Sequence, residues 1–200
     1  MKQILGFTEK SISNCLLKLY LTQNLNSKSP LHGGFFIYST LKYHKLSEAQ
    51  FNEMHREFTL FLASQNITKS DWLIIKSHKP KLVDKYLNSF SDLVWEKILS
   101  NCQYLEFSTI SQIFLFHTKE NSVDALIVKI DKKLADLNTA EGFKKVLTLL
   151  KSEKVDIFES SNVYAPSRNQ FIYDYLIKGS VISDGKRYEL LKSYFYNSAK

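Results

Sequence analysis

The chain is predicted to be an α+β protein: N-terminal helices packed on a small, mainly antiparallel three- or four-stranded sheet, followed by C-terminal helices. Three observations carry that reading. From about residue 46 to 101, apolar residues recur at helical spacing behind capping signals. Across 104–131 the period falls from 3.6 to 2, as strands require. After residue 138 the helical spacing returns. Helices, then strands, then helices is the order of an α+β chain rather than of alternating βα units.

Each element has its own local reason. Residues 9–22 carry Ile12, Leu16, Leu19 and Tyr20 on one helical side, and Asn24 to Pro30 is a run of turn formers. His32 to Tyr38 is a short apolar run that reads as a strand. Ser47 with Gln50 forms a capping box, Leu46 and Phe51 occupy the staple positions, and Phe51, Met54, Phe58 and Leu62 continue one stripe. A helix over 48–65 follows. Thr68 with Asp71 opens a shorter helix that ends near His78, because Pro80 turns Lys79 away from helical geometry. Pro80 suits the first turn of the next helix, about 81–101, whose face is Leu82, Tyr86, Phe90, Val94 and Ile98.

Residues 104–108, 112–118 and 123–131 are three predicted strands. Lys119 to Ser122 has hairpin length, so the second and third strands are antiparallel. Ala125 to Val128 is apolar on both faces, the mark of a covered strand. Asn138 with Glu141 caps a helix over about 139–152, with Phe143, Val146, Leu147 and Leu150 inward. Val155 to Phe158 is a fourth strand. Ser167 with Gln170 starts a helix through Phe171, Tyr175 and Leu176 that stops at Gly179, and a last helix spans about 185–196.

Composition excludes several classes. The 200 residues can bury a core without staples, and six Gly with three Pro leave little room for flexible linkers. No run approaches the roughly 20 apolar residues of a membrane helix, and Glu9 and Lys10 interrupt any signal-peptide core. Cys15 and Cys102 provide neither a disulfide framework nor zinc spacing, so a reducing cytoplasm fits best. The net charge of +7 is uneven. Residues 1–46 hold six lysines against one glutamate, while 47–200 hold 21 basic and 19 acidic side chains. Only the front end is basic.

Familiar chemistry is missing. His44, His55 and His117 show no metal-ligand spacing, and Glu53 and His55 lie on different sides of their helix. There is no G-x-S-x-G, no activated cysteine and no phosphate-cradling glycine loop, since nothing of that kind follows Gly33-Gly34. No catalytic, cofactor or metal residue is assigned, and no cofactor is expected. The order of helix 81–101, three strands, helix and strand matches restriction-endonuclease-like folds. Such nucleases need acids and a lysine on the second and third strands to hold a metal and position water. Lys129 is present, but Ile127 stands where an acid is needed, Ile113 to His117 adds none, and Asp124 with Glu96 does not complete the set.

Lys186, Arg187 and Lys192 interleave with Tyr188, Tyr194 and Tyr196, a pattern that suits phosphate contact and base stacking. They are the candidate nucleic-acid contacts, although Tyr188, Leu191 and Phe195 also form an ordinary buried stripe. The leading reading, reached by elimination, is a non-catalytic protein-interaction or regulatory domain with a protein partner. The alternative is a nucleic-acid-associated protein built on a degenerate nuclease fold.

From Lys42 to Leu46, Glu57 to Ile67, Phe90 to Glu96, Tyr104 to Glu106 and Ile182 to Gly185, the chain resembles a family of small uncharacterised bacterial proteins. The likeness covers about 41–200 and implies no activity. Relatives begin with Met where this chain has Leu41. Residues 1–40 are therefore expected to be a basic N-terminal extension, or a segment from an early start codon, and 41–200 a single α+β domain.

Overall fold

A computed structural model describes residues 41–198; the helix expected at 9–22 and the strand expected at 32–38 lie outside them. The described residues divide into two compact units, one ending at Ser100 and the other beginning at Asn101. The elements define an α+β protein with a five-stranded antiparallel sheet.

The first unit holds α1 (Glu48–Glu53), α2 (His55–Ser64), α3 (Lys69–His78) and most of α4 (Pro80–Asn101). Both predicted capping boxes are present, at Ser47/Gln50 and Thr68/Asp71. The helix expected over 48–65 is two helices. At Met54 the backbone leaves helical geometry (φ −108°, ψ 23°), and its N–H is shared between the carbonyls of Gln50 and Phe51. The apolar stripe runs straight across the break, which is why periodicity alone shows one helix. Rings fill this unit: Phe58 meets Phe51, Phe61, Trp72 and Phe90 at centroid distances of 5.1–6.0 Å. The segment 42–46 is tied along α4. Backbone N–H groups of Lys42 and Tyr43 donate to the Asp92 carboxylate, Leu46 N–H to Ser91 Oγ, and Trp95 Nε1 to the His44 carbonyl.

The second unit holds the sheet, in the order β4-β3-β2-β1-β5. Its strands are β1 (Tyr104–Ser108), β2 (Gln112–Thr118), β3 (Ser122–Ile130), β4 (Val155–Val163) and β5 (Val181–Ser183), each antiparallel to its neighbours. Three helices belong to it: α5 (Ala140–Leu149), α6 (Arg168–Ile177) and α7 (Lys186–Ser198). The register pairs Ile113 with Val128 and Leu115 with Leu126, so these side chains share one face. With Ile130, Phe143, Val146, Tyr188 and Leu191 they form the core, which α5 and α7 close. On the opposite face Phe116 stacks edge-on against Phe171 and Tyr175 of α6.

Three sequence expectations change here. The sheet has five strands, not three or four; β5 has no signature in the sequence, because its three residues show no period and pair only with β1. Strand β4 extends five residues past Phe158, held by its ladder to β3 while most of its side chains stay exposed, as on an edge strand. The cap of α5 is Thr139 rather than Asn138: Thr139 Oγ1 accepts from Gly142 N–H at 2.9 Å. Gly142 is needed there, since a Cβ would lie 1.8 Å from the Asp136 carbonyl oxygen.

Candidate functional site

One open polar cleft of about 740 Å³ lies on the α7 side of the sheet, at its β5 edge. Glu106 and Ser108 of β1, with Val181 and Ser183 of β5, form its floor. Lys186 and Arg187 from the first turn of α7 wall it, and Asn138, Gly179 and Asp184 complete the rim. Local chemistry puts each wall in place. Helix α6 ends at Gly179 (φ +104°) in a Schellman motif, with Ser180 N–H donating to the Tyr175 carbonyl and Gly179 N–H to Leu176. The chain then runs as β5 beside β1. It turns into α7 at Gly185, where φ is +75° and a Cβ would stand 2.5 Å from the Tyr104 ring. Only glycine suits both conditions. Ser183 Oγ accepts from Gly185 N–H and the Asp184 carboxylate from Lys186 N–H, so the turn satisfies its own donors.

Two charged side chains dominate the cleft. Alternation along β1 sends Glu106 to the core face, beside Leu115 of β2 and Val181 of β5, and its side chain is only 13% exposed. Burial raises its pKa, and the Asp184 charge adds to the rise; the Ser183 hydrogen bond and the Arg187 charge oppose it. Arg187, 31% exposed, lies with Cζ 5.1 Å from the centroid of the Phe143 ring, and its Nη1 approaches Glu106 Oε2 at 3.5 Å. That approach is too long for a strong hydrogen bond. The guanidinium is stacked and aimed, yet its fork of donors is unfilled by described residues. The Ser108 hydroxyl and the Asn138 side-chain amide also have no hydrogen-bond partner among them.

The same face carries a second polar cluster toward the β2–β3 turn. His117 stacks on Tyr104 with centroids 4.7 Å apart, and Tyr188 approaches its edge at 5.5 Å. Tyr104 donates to Glu189 at 2.7 Å, a bond that pushes its pKa up to about 12, with burial adding to it. Asp124 pairs with Lys119 at 2.6 Å and accepts from Ser161 at 2.7 Å. Burial pushes its pKa up, but these partners outweigh burial and hold it below the usual carboxylate range.

The three candidate nucleic-acid contacts are thus separated by role. Lys186 is 86% exposed and pairs with Asp184 at 2.5 Å. Arg187 enters the cleft. Lys192 pairs with Glu159 of β4, away from the other two. Lys186 and Arg187 share one cleft; Lys192 does not line it. Sequence reasoning missed Glu106, Ser108, Asn138 and Phe143. The one available signal was Glu106 as a lone acid inside an apolar strand; nothing local pairs it with Arg187.

Other residues weighed for chemistry are held in structural roles. Cys102 is buried, its thiol pushed up to about 12 by burial, which keeps it protonated; Cys15 lies outside the described residues. Glu96 accepts from Tyr43 at 2.9 Å in the first unit, while Asp124 belongs to the sheet unit. No group of three histidine, cysteine or acidic side chains that could hold a metal occurs among the described residues. No described helix is long and apolar enough to cross a membrane.

Fold and cleft together define an antiparallel α+β protein carrying a polar, charge-paired recess on its sheet. The chain belongs to a family of unknown function, DUF6495, whose model matches residues 41–196. No curated protein and no solved structure matches it.

Proposed function

We propose that this protein is a non-catalytic interaction or regulatory domain whose recognition site is the cleft at the β5 edge. The observation that carries the reading is Arg187: half-buried, stacked on Phe143, and with its donor fork unfilled by described residues. A guanidinium held this way is preorganised to bind a planar anionic group. Around it the cleft offers hydroxyl, amide and carboxylate groups that suit hydrogen bonding to a ligand. Recognition is what its groups support.

The reading keeps residues 41–200 as the folded part and the cytoplasm of a bacterium as its setting. Two cysteines without a framework and the resemblance noted above support that setting. A nucleic-acid role ranks second, because Lys186 and Lys192 are each paired directly with a carboxylate and Lys192 does not line the cleft.

The test is quantitative affinity capture from lysate with wild type and Arg187→Gln, after thermal melting has shown both folded. A partner retained by wild type and depleted on the variant supports the reading. Identical capture by the two proteins overturns it.

A further inference from the structure

The cleft offers both signs of charge at neighbour distance, and this restricts what it can hold. A ligand with only an anion would approach Arg187 but meet the Glu106 carboxylate beside it. A ligand with only a cation would approach Glu106 but meet the guanidinium. The two groups stand 3.5 Å apart, half-buried, where charges interact more strongly than in water. A ligand that carries both charges, with matching spacing, satisfies both at once.

We propose that the cleft is a receptor for a small zwitterion of the α-amino-acid class, its carboxylate gripped by Arg187 and its ammonium facing Glu106. Covalent geometry puts the carboxylate oxygens and the ammonium nitrogen of such a molecule roughly 3 Å apart, from the N–Cα and Cα–C bond lengths. That spacing is close to the Arg187–Glu106 separation, so the two ion pairs form side by side. A peptide terminus brings only one of the two charges to a given point and leaves the other protein group facing its own sign. The unpartnered Ser108 hydroxyl and Asn138 amide lie in the same recess and provide hydrogen bonds for a ligand side chain. A recess of about 740 Å³ is ample for one amino acid, within the usual range of small-molecule sites of roughly 300–1,000 Å³. This inference rests on the cleft being the recognition site, and it names the ligand that would make the domain regulatory.

The experiment is isothermal titration of the full-length protein with the free L-amino acids. The tightest binder is then repeated as its N-acetyl and carboxamide derivatives, which remove the ammonium charge and the carboxylate charge in turn. Saturable one-to-one binding of at least one amino acid is expected. Blocking either charge, or introducing Glu106→Gln or Arg187→Gln, should weaken it by about tenfold or more, the effect of losing one charge-assisted hydrogen bond. Glu106→Gln is isosteric and keeps the fold testable if Arg187→Gln melts early. No binding at millimolar concentration, or an N-acetyl derivative that binds as well as its parent, overturns the inference. Should amino acids fail while partner capture still depends on Arg187, only this inference falls. Should amino acids bind while capture ignores Arg187, the partner-binding reading falls instead.

Discussion

Glu106 and Asp124 point to the same face of one sheet, and their surroundings drive their proton affinities in opposite directions. Glu106 is desolvated and only loosely approached by Arg187, so its pKa rises. Asp124 is desolvated too, but a direct Lys119 pair and the Ser161 hydroxyl more than compensate, and its pKa falls. The partner, not burial alone, decides the sign. A lowered folded-state pKa contributes stability that is present above the unfolded value, here 3.8, and is lost as pH falls through the folded value. Asp124→Asn should therefore melt below wild type at pH 7, with the gap closing as the pH is taken below that range. Melting curves across pH check this, and a gap that stays constant would contradict it. Glu106 has the reverse sign: its contribution is fully present below its unfolded value of 4.5 and is lost as pH rises through its higher folded value.

Among the elements, α6 illustrates how one side chain fastens three segments. The Arg168 guanidinium donates to the carbonyls of Cys102, Thr118 and Lys119, joining the start of α6 to the chain before β1 and to the β2–β3 turn. The Tyr164 hydroxyl lies within 2.8 Å of the carbonyls of Lys119 and Ser122 and reinforces that turn. Arg168→Met keeps much of the stem but removes the shared donor; the Cys102 carbonyl keeps Thr118 Oγ1 and the Lys119 carbonyl keeps the Tyr164 hydroxyl. It should cost about 2 kcal/mol, the order of a lost hydrogen bond from a charged donor, read as a lower midpoint in urea. An unchanged midpoint would mean that the carbonyls find other donors. Helix α6 itself was legible in the sequence, from the Ser167 cap that accepts Gln170 N–H to the Gly179 stop. The clamp was not, because its acceptors are backbone carbonyls that carry no sequence signature.

For the whole molecule, net charge and charge placement give different expectations. The chain carries +7, which suggests affinity for polyanions. Beyond residue 46 the balance is close, and the three basic groups of α7 singled out in the sequence each face an acid. Displacing an existing carboxylate offsets much of the gain from releasing counterions from a phosphate backbone. Residues 41–200 should accordingly leave a heparin column at low salt, with an elution position that Lys186→Ala and Lys192→Ala change little. Strong retention that falls steeply with salt and depends on those two lysines would restore the nucleic-acid reading.

The sequence by itself determined the α+β class, both capping boxes, the β2–β3 hairpin and the covered character of β3. These follow from contacts between residues a few positions apart, whose periodicity and caps are written locally. Tertiary structure alone decided the break at Met54, the full length of β4, the existence of β5 and the meeting of Glu106, Arg187 and Phe143. Each depends on a neighbour distant along the chain: an edge strand is held by its ladder, and a cleft by the register of strands and the turn at Gly185 that sets α7 over them. Local pattern specifies elements; only their packing brings opposite charges to 3.5 Å.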